Sequence, residues 1–525
     1  MLCEVWREKE NIFDYVSFCI FRKVPYNGGE CAVWERLTGF FVFLLSCMDE
    51  RYSMYASFEG RVLIIGYGSV ARAALLLILR HIAVSPGRVT VLTRNPIDAA
   101  LQKELGVQTI TATVTPENYQ QILDDQLGEG DILLHLTAGI SSYDLIAYCL
   151  SHGICYMDAS LEEWPGVVHG EKGDYRARCD YYNRMRVRSL DSNDASRRST
   201  AFIANGANPG LVSYFLKAGL LDIARDTGVP ANPHTREEWA ALAEMLQVKV
   251  VHVSERDTQR SVTSRTKGVF RNTWSPEGLY GEAVLPAEVG WGTHEKELPK
   301  DAKLHDTGTG SAIGILRPGC TVQARSWVPL TGPLLGMVIS HNETLAFADY
   351  YTVRNDAGEV VYRPTCHYVY YPADDALASL REVVASNFER PRETELLIDD
   401  IVSDGGTDEL GVLIAGHAKN AYWIGTSLTI EEARKVGMQV NATSLQVAAG
   451  ILAGMVWIIE HPHEGIIEAD DVDHVRALAI AAPYLGTIKK VYTDWTPLAH
   501  LDTSIVPRGD RDLDDPWQFK NIYVP

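Results

Sequence analysis

Three features of the chain predict an α/β protein: a doubly wound parallel sheet, followed by an α+β domain whose sheet is mainly antiparallel. The first feature is a strand, glycine turn, helix, strand unit that begins near Phe58. The second is a series of short, wholly apolar strand candidates that alternate with helical stretches as far as about Ala201. The third is the end of that alternation. From Val248 to Ala373 the text is strand-like, turn-rich and aromatic, with Trp274, Trp291, Trp327, Tyr350 and Tyr351. A length of 525 residues at 46% hydrophobic composition gives room for roughly two or three domains with a substantial core.

The elements follow in order. Val62 to Ile65 form an apolar strand, and Gly66-Tyr67-Gly68-Ser69-Val70-Ala71 makes the turn. The helix after it carries Leu75, Leu76, Ile78 and Leu79, and a second strand covers Val89 to Leu92. Two more buried strands are expected at Ile132 to Thr137 and Ile154 to Asp158, with a helical pattern, SSYDLIAYCLSHG, between them. A GxGxxA run in this context has a mechanical use. Gly66 permits the tight turn, Gly68 lets a pyrophosphate approach the backbone, and Ala71 keeps the helix near the sheet. The parallel sheet is therefore read as Rossmann-like. Its cofactor-binding candidates are Gly66, Gly68, Ser69 and Val70 at the turn, and Thr93, Arg94, Thr137 and Asp158 at strand ends. The second strand ends in Thr93-Arg94 without the acidic residue that usually bonds the ribose, so the choice between NAD and NADP stays open on the residues alone.

Near the C-terminus, Ala442 to Glu460 reads as a buried helix in which Gly450 and Gly454 permit close packing. Its uninterrupted non-polar stretch, Val447 to Ile459, is short for a membrane span. The expected boundaries are a 1–57 extension, a 58–200 dinucleotide-binding domain, a 201–440 substrate domain, and a 441–525 helical segment packing back on the nucleotide domain. The extension fits either a peripheral appendage or an over-extended start, with Met48 or Met54 as the true initiator.

Charge and cysteine usage narrow the function classes. Asp plus Glu exceed Lys plus Arg by 68 to 48, a formal charge of −20, so no basic footprint for nucleic acid is available. Nine cysteines, four of them before Phe58, show no CxxC or zinc-ligand spacing; a cytoplasmic, reducing location and no metal are expected. The middle of the chain carries polar residues where a core would not choose them. Glu255 follows a strand pattern, Trp274 and Glu282 lie in and after NTWSPEG, His341 and Glu343 lie in SHNET, Glu162 follows DAS, and Asn208 sits in GANPG.

These segments carry a resemblance. SERDTQR, NTWSPEG, AEVGWGT, HDTG, SHNET, YRPTCHY, GHAKNAYW, NATSLQV, YTDWTPL and DPWQF, with GYGS and GANPGLVS, resemble the bacterial homospermidine synthase family of saccharopine-dehydrogenase-like oxidoreductases. The resemblance runs from about Arg61 to Pro525. It implies a homodimer whose subunits join a Rossmann domain to a substrate and dimerisation domain. It also implies that two putrescines become homospermidine with release of ammonia, putrescine plus spermidine being the alternative substrate pair, with NAD retained as a prosthetic group. By resemblance Trp274 supplies a cation–π face, Glu255 and Glu282 fix amino groups and compete for the role of base, and Glu162, Asn208 and His341 line the same cavity. Two departures stand out: the family pattern has Asp at about Gly139, and Asp where Thr93 stands. The rival readings are an imine-reducing dehydrogenase of the carboxynorspermidine or saccharopine type, and a nucleotide-binding regulator without catalysis. The expected partner is a diamine or polyamine, with neither nucleic acid nor membrane.

Overall fold

The computed structural model describes residues 52–97, 99–167, 175–191, 199–398, 401–437, 440–502, 504–505 and 509–524; the predicted extension lies outside them up to residue 51. Residues 54–525 form one compact unit. That unit begins slightly before the expected Phe58, because Ala56–Ser57 pair in parallel with Ile82–Ala83 and the Tyr55 ring stacks on His81 at 5.0 Å.

The parallel half is built from β1 (Val62–Ile65), α1 (Ser69–His81), β2 (Val89–Thr93), β3 (Gln108–Thr111), β4 (Ile132–His135), α2 (Ser142–His152), β5 (Cys155–Asp158), α3 (Asp180–Arg188), β6 (Ala201–Phe202) and α4 (Leu211–Thr227). The strand order is β3-β2-β1-β4-β5-β6, with Ile466–Ile467 added beside β6, and each pairing is parallel. Every residue of β1, β4 and β5 is buried, as expected of strands covered by helices on both faces. Chain order reverses direction between β1 and β4, so their carboxyl ends open onto the crevice where ligands bind in such sheets. Serine and glycine set the ends of α2: Ser141 Oγ accepts from Asp144 N, and Gly153 stops the helix at φ 66°.

The second half is an eleven-stranded sheet. Its principal strands are β7 (Val250–Asp257), β8 (Pro286–Gly290), β9 (Ala312–Pro318), β10 (Thr365–Tyr371), β11 (Thr407–His417), β12 (Asn420–Thr429) and β13 (Thr487–Thr493). They run in the order β9-β8-β10-β7-β11-β12-β13. β7 and β10 pair in parallel, while their other neighbours are antiparallel. Two helices, α5 (Pro276–Val284) and α6 (Asn342–Tyr350), are inserted between its strands in the chain.

The helix α7 (Ala442–Glu460) joins the halves. It is long and apolar enough to cross a membrane, but 83% of its most apolar window is buried inside the protein. Asn441 caps it by accepting from Ser444 N. Leu452 on α7, Leu75 on α1, Leu216 on α4 and Val253 and Val412 on β7 and β11 share one continuous apolar core. The rest of the C-terminal stretch mixes helix, at His474–Ala481 and Phe519–Ile522, with strand. Ile466–Ile467 extends the parallel sheet, β13 joins β12, and Tyr523–Val524 pair with Gln323–Ala324. The segment therefore stitches both sheets together.

A buried ion cluster ties α3 and α6 to the same segment. Arg184, 1% exposed, meets Glu468 at 2.6 Å and Asp349 at 3.3 Å. Burial alone would raise the Glu468 pKa, but Arg184 and Arg188 outweigh it and hold the carboxyl at about 2.

Gly450 carries the closest approach of α7. A Cβ there would stand 1.9 Å from the carbonyl oxygen of Gly206, and one on Gly454 would stand 2.4 Å from Met157 Cε. Gly450→Ala is expected to cost about 1–3 kcal/mol or more, read from urea unfolding, because backbone rather than a mobile side chain blocks the methyl.

Candidate functional site

The nucleotide cradle is legible in the backbone. Gly66 has φ 107°, and a Cβ on it would lie 2.4 Å from the Leu136 carbonyl oxygen, so only glycine fits. Gly68 is the N-cap of α1; it makes no side-chain cap, and the space where its Cβ would stand is open. The first-turn amides of α1 thus face an uncluttered approach suited to a pyrophosphate. Ser69 and Val70 open the helix, Thr93 ends β2, and Arg94 beyond it is exposed. Thr137 stands beside Gly66, where its Cβ would be 3.1 Å from a Gly66 methyl.

Asp158, a cofactor-binding candidate at the end of β5, turns its side chain inward. It is fully buried, with Oδ2 accepting from Ser142 Oγ (2.8 Å) and Tyr156 OH (2.7 Å), and Oδ1 from Ala204 N (2.6 Å). Burial pushes its pKa up to about 7. These bonds fix the 204–210 loop against β5, and that loop carries Asn208.

Asn208 reaches the second half, donating from Nδ2 to Glu255 Oε2 at 2.9 Å. Tyr368 OH donates to the same oxygen at 2.6 Å. Glu255 lies on β7 and is 3% exposed; burial, aided by the neighbouring Asp257, raises its pKa to about 7 although both hydrogen bonds oppose the shift. The parallel pairing of β7 with β10 brings the tyrosines here, with Tyr368 and Tyr370 on one face of β10 and their rings stacked at 5.3 Å. Trp274 Nε1 donates to Tyr370 OH at 3.1 Å. Ser275 then caps α5, and Gly278 leaves room for the indole, since a Cβ there would be 2.9 Å from Trp274 Cζ3.

Glu282, on α5, meets His341 Nε2 at 3.3 Å, and Glu343 meets His341 Nδ1 at 3.3 Å. The His341 ring lies 4.3 Å from that of Tyr368. Burial works against a charged imidazole, but Glu343 and Glu282 outweigh it and hold the His341 pKa well above the usual range. Glu162 follows β5; its oxygens accept from Ser160 Oγ (3.0 Å) and Gly139 N (3.1 Å). Burial raises its pKa, and the charge of Glu282 adds to the effect. Gly139 has φ 78°, so glycine suits this turn and presents the amide that Glu162 uses.

The structure thus links Glu255, Asn208, Tyr368, His341 and Glu282 by direct contacts, joins Trp274 through Tyr370, and sets Glu162 in the field of Glu282. Tyr368 and Tyr370 are the members the sequence reading missed, and Glu343 was singled out there without a role. The alternation of Tyr368 and Tyr370 was the available signal, visible only once β10 is known to border β7.

Comparison with known proteins agrees with this architecture. The family profile described as the saccharopine dehydrogenase NADP binding domain matches residues 62–202, and that of the saccharopine dehydrogenase C-terminal domain matches 206–494. The fold and the cradle define a two-domain oxidoreductase of the saccharopine dehydrogenase kind. Homospermidine synthase of Mesorhizobium japonicum is 41% identical over 483 residues, covering 91% of this chain and 99% of that protein. The Blastochloris viridis homospermidine synthase is 43% identical over 477 residues, 90% of this chain and 99% of its own. The crystal structure of homospermidine synthase from Legionella pneumophila in complex with NAD superimposes with a TM-score of 0.82 at 41% identity, covering 89% of this chain and 98% of that one. The chain belongs to the homospermidine synthase family.

The buried carboxyls give a pH signature. Glu255 and Asp158 each have a folded pKa raised to about 7, so the folded chain holds protons that the unfolded chain has released. Their contribution is full below the ordinary carboxylate range and is lost as pH rises through about 7. The unfolding midpoint is expected to fall between about pH 5 and about pH 8, and Glu255→Gln should flatten that fall.

Proposed function

We propose that the chain converts two diamines into a longer polyamine with NAD as a retained prosthetic group: putrescine supplies an aminobutyl group to a second putrescine, or to spermidine, and ammonia leaves. The observation that carries this reading is the convergence of Glu162, Glu255, Glu282 and Glu343 with Trp274 beyond the carboxyl ends of β5 and β6. A flexible dication requires carboxylates and an aromatic face. A keto-acid or amino-acid substrate would instead require arginines, whereas the hydrogen-bonded residues of this cluster are acidic, aromatic and amide groups with a single histidine, His341, already paired with Glu282 and Glu343.

Gly66 and Gly68 would hold NAD, which would supply reversible hydride acceptance with no net redox change. The chain's own groups handle charge and protons. Asn208 and Tyr368 both bond Glu255 Oε2, leaving Oε1 to take the proton an amine must lose before it is oxidised or attacks. A base near pKa 7 suits that task at neutral pH. His341 keeps its proton between Glu282 and Glu343 and orients Glu282 toward an ammonium. Trp274, its plane set by Tyr370, stabilises the cationic amine or iminium. A homodimer belongs to the same proposal by family resemblance, and a cytoplasmic location is supported by free thiols at Cys149, Cys155, Cys179, Cys320 and Cys366.

Putrescine should yield homospermidine and ammonia with no net change in NADH absorbance. Trp274→Ala should lower kcat/KM about 2- to 30-fold. Glu255→Gln should lower kcat about 100- to 10,000-fold while bound NAD survives denaturing extraction unchanged. Stoichiometric NAD(P)H consumption with a keto acid and an amine would favour an imine-reducing dehydrogenase instead. Full activity in both variants would overturn the site.

A further inference from the structure

AEVGWGT and HDTG have no part in the cluster around Trp274, yet they meet. Glu288 on β8 and His305, in the segment before β9, approach so that His305 Nε2 and Glu288 Oε1 are 2.8 Å apart, both side chains buried. An ion pair would account for those two alone. A third donor arrives from the other half of the molecule: Cys179, the N-cap of α3, is buried at the same place. One ligand atom each from Cys179, Glu288 and His305 lies within 4.8 Å of the others.

We propose that Cys179, Glu288 and His305 form a binding site for a divalent ion of the zinc class. The donor set is sulfur, oxygen and nitrogen, the mixture that borderline ions such as Zn²⁺ and Co²⁺ accept and that Mg²⁺ or Ca²⁺ do not. Three protein ligands leave a fourth, tetrahedral position for water. The surrounding groups act as outer-shell partners of such a site do. Ser340 Oγ (2.7 Å) and Tyr181 N–H (3.3 Å) both donate to Glu288 Oε2, fixing the carboxylate. The Tyr181 ring lies flat on His305 at 4.3 Å and 3°, fixing the imidazole plane. Ser340 precedes His341, so the ion would also brace the segment that carries the histidine between Glu282 and Glu343. No sequence spacing announces the site, because its ligands come from three separate elements.

The full-length protein, stripped of metal with a chelator and kept reduced, is titrated with Co²⁺ and with Zn²⁺. Saturable uptake of one ion per chain is expected, with a near-ultraviolet sulfur-to-cobalt band and a raised unfolding midpoint. Cys179→Ser should abolish the band, and His305→Gln should lose the uptake. Ser340→Ala should weaken it by about 10- to 100-fold. If Cys179→Ser does not fold, as judged by circular dichroism and bound NAD, Glu288→Gln serves as the ligand variant, since its amide oxygen can still take the Ser340 bond. The proposal is overturned by absence of saturable uptake in the unmodified chain, or by an unchanged band and affinity in the folded Cys179→Ser and His305→Gln variants.

Discussion

The site depends on how closely α7 can lie against the 205–210 loop. Gly450 brings helix backbone against the Gly206 carbonyl, and its own carbonyl accepts from Asn205 Nδ2 at 3.0 Å. Asp158 clamps the same loop from the side of β5. With both faces of the loop fixed, Asn208 projects to a carboxylate on a different sheet. Close packing by glycine thus becomes the means of aiming a polar side chain, and the rigidity is that of helix, strand and core.

Burial then decides the chemistry. Glu255, Asp257 and Asp408 lie on neighbouring strands β7 and β11 and are all buried. Their mutual repulsion and loss of solvent favour the neutral acid, whereas Tyr368, Asn208, Thr273, Thr443 and Gln259 hydrogen bonds favour the anion. The balance leaves Glu255 close to neutrality. At His341 the same loss of solvent is overruled by two adjacent carboxylates, so the histidine stays charged. Two titratable groups whose rings and chains meet at Tyr368 are driven to opposite protonation behaviour by their neighbours alone.

What the sequence revealed follows the range of the interactions involved. The glycine turn and the strands at 62–65, 89–93, 132–135 and 155–158 were readable because periodicity and φ freedom are local. The glutamates, Trp274, Asn208 and His341 were readable through family motifs, and the fold gathers them. Local text did not disclose that Asp158 turns inward, since its partner amide belongs to Ala204, nor that β13 joins the large sheet. Tyr368 and Tyr370 gain a place in the site only through the parallel pairing of β10 with β7. The Cys179, Glu288 and His305 grouping was invisible for the same reason: contacts across elements leave no pattern along the chain.

The Asn208 to Glu255 bond has one more consequence. Its donor belongs to the loop after β6 and its acceptor to β7, so it bridges the nucleotide half and the amine half of the molecule. The contact acts on the carboxyl in two directions: the Asn208 donor favours the anion, while burial favours the neutral acid more strongly. Proton affinity at Glu255 is therefore set jointly by both halves: one supplies a hydrogen-bond donor, and together they exclude the water that would favour the anion.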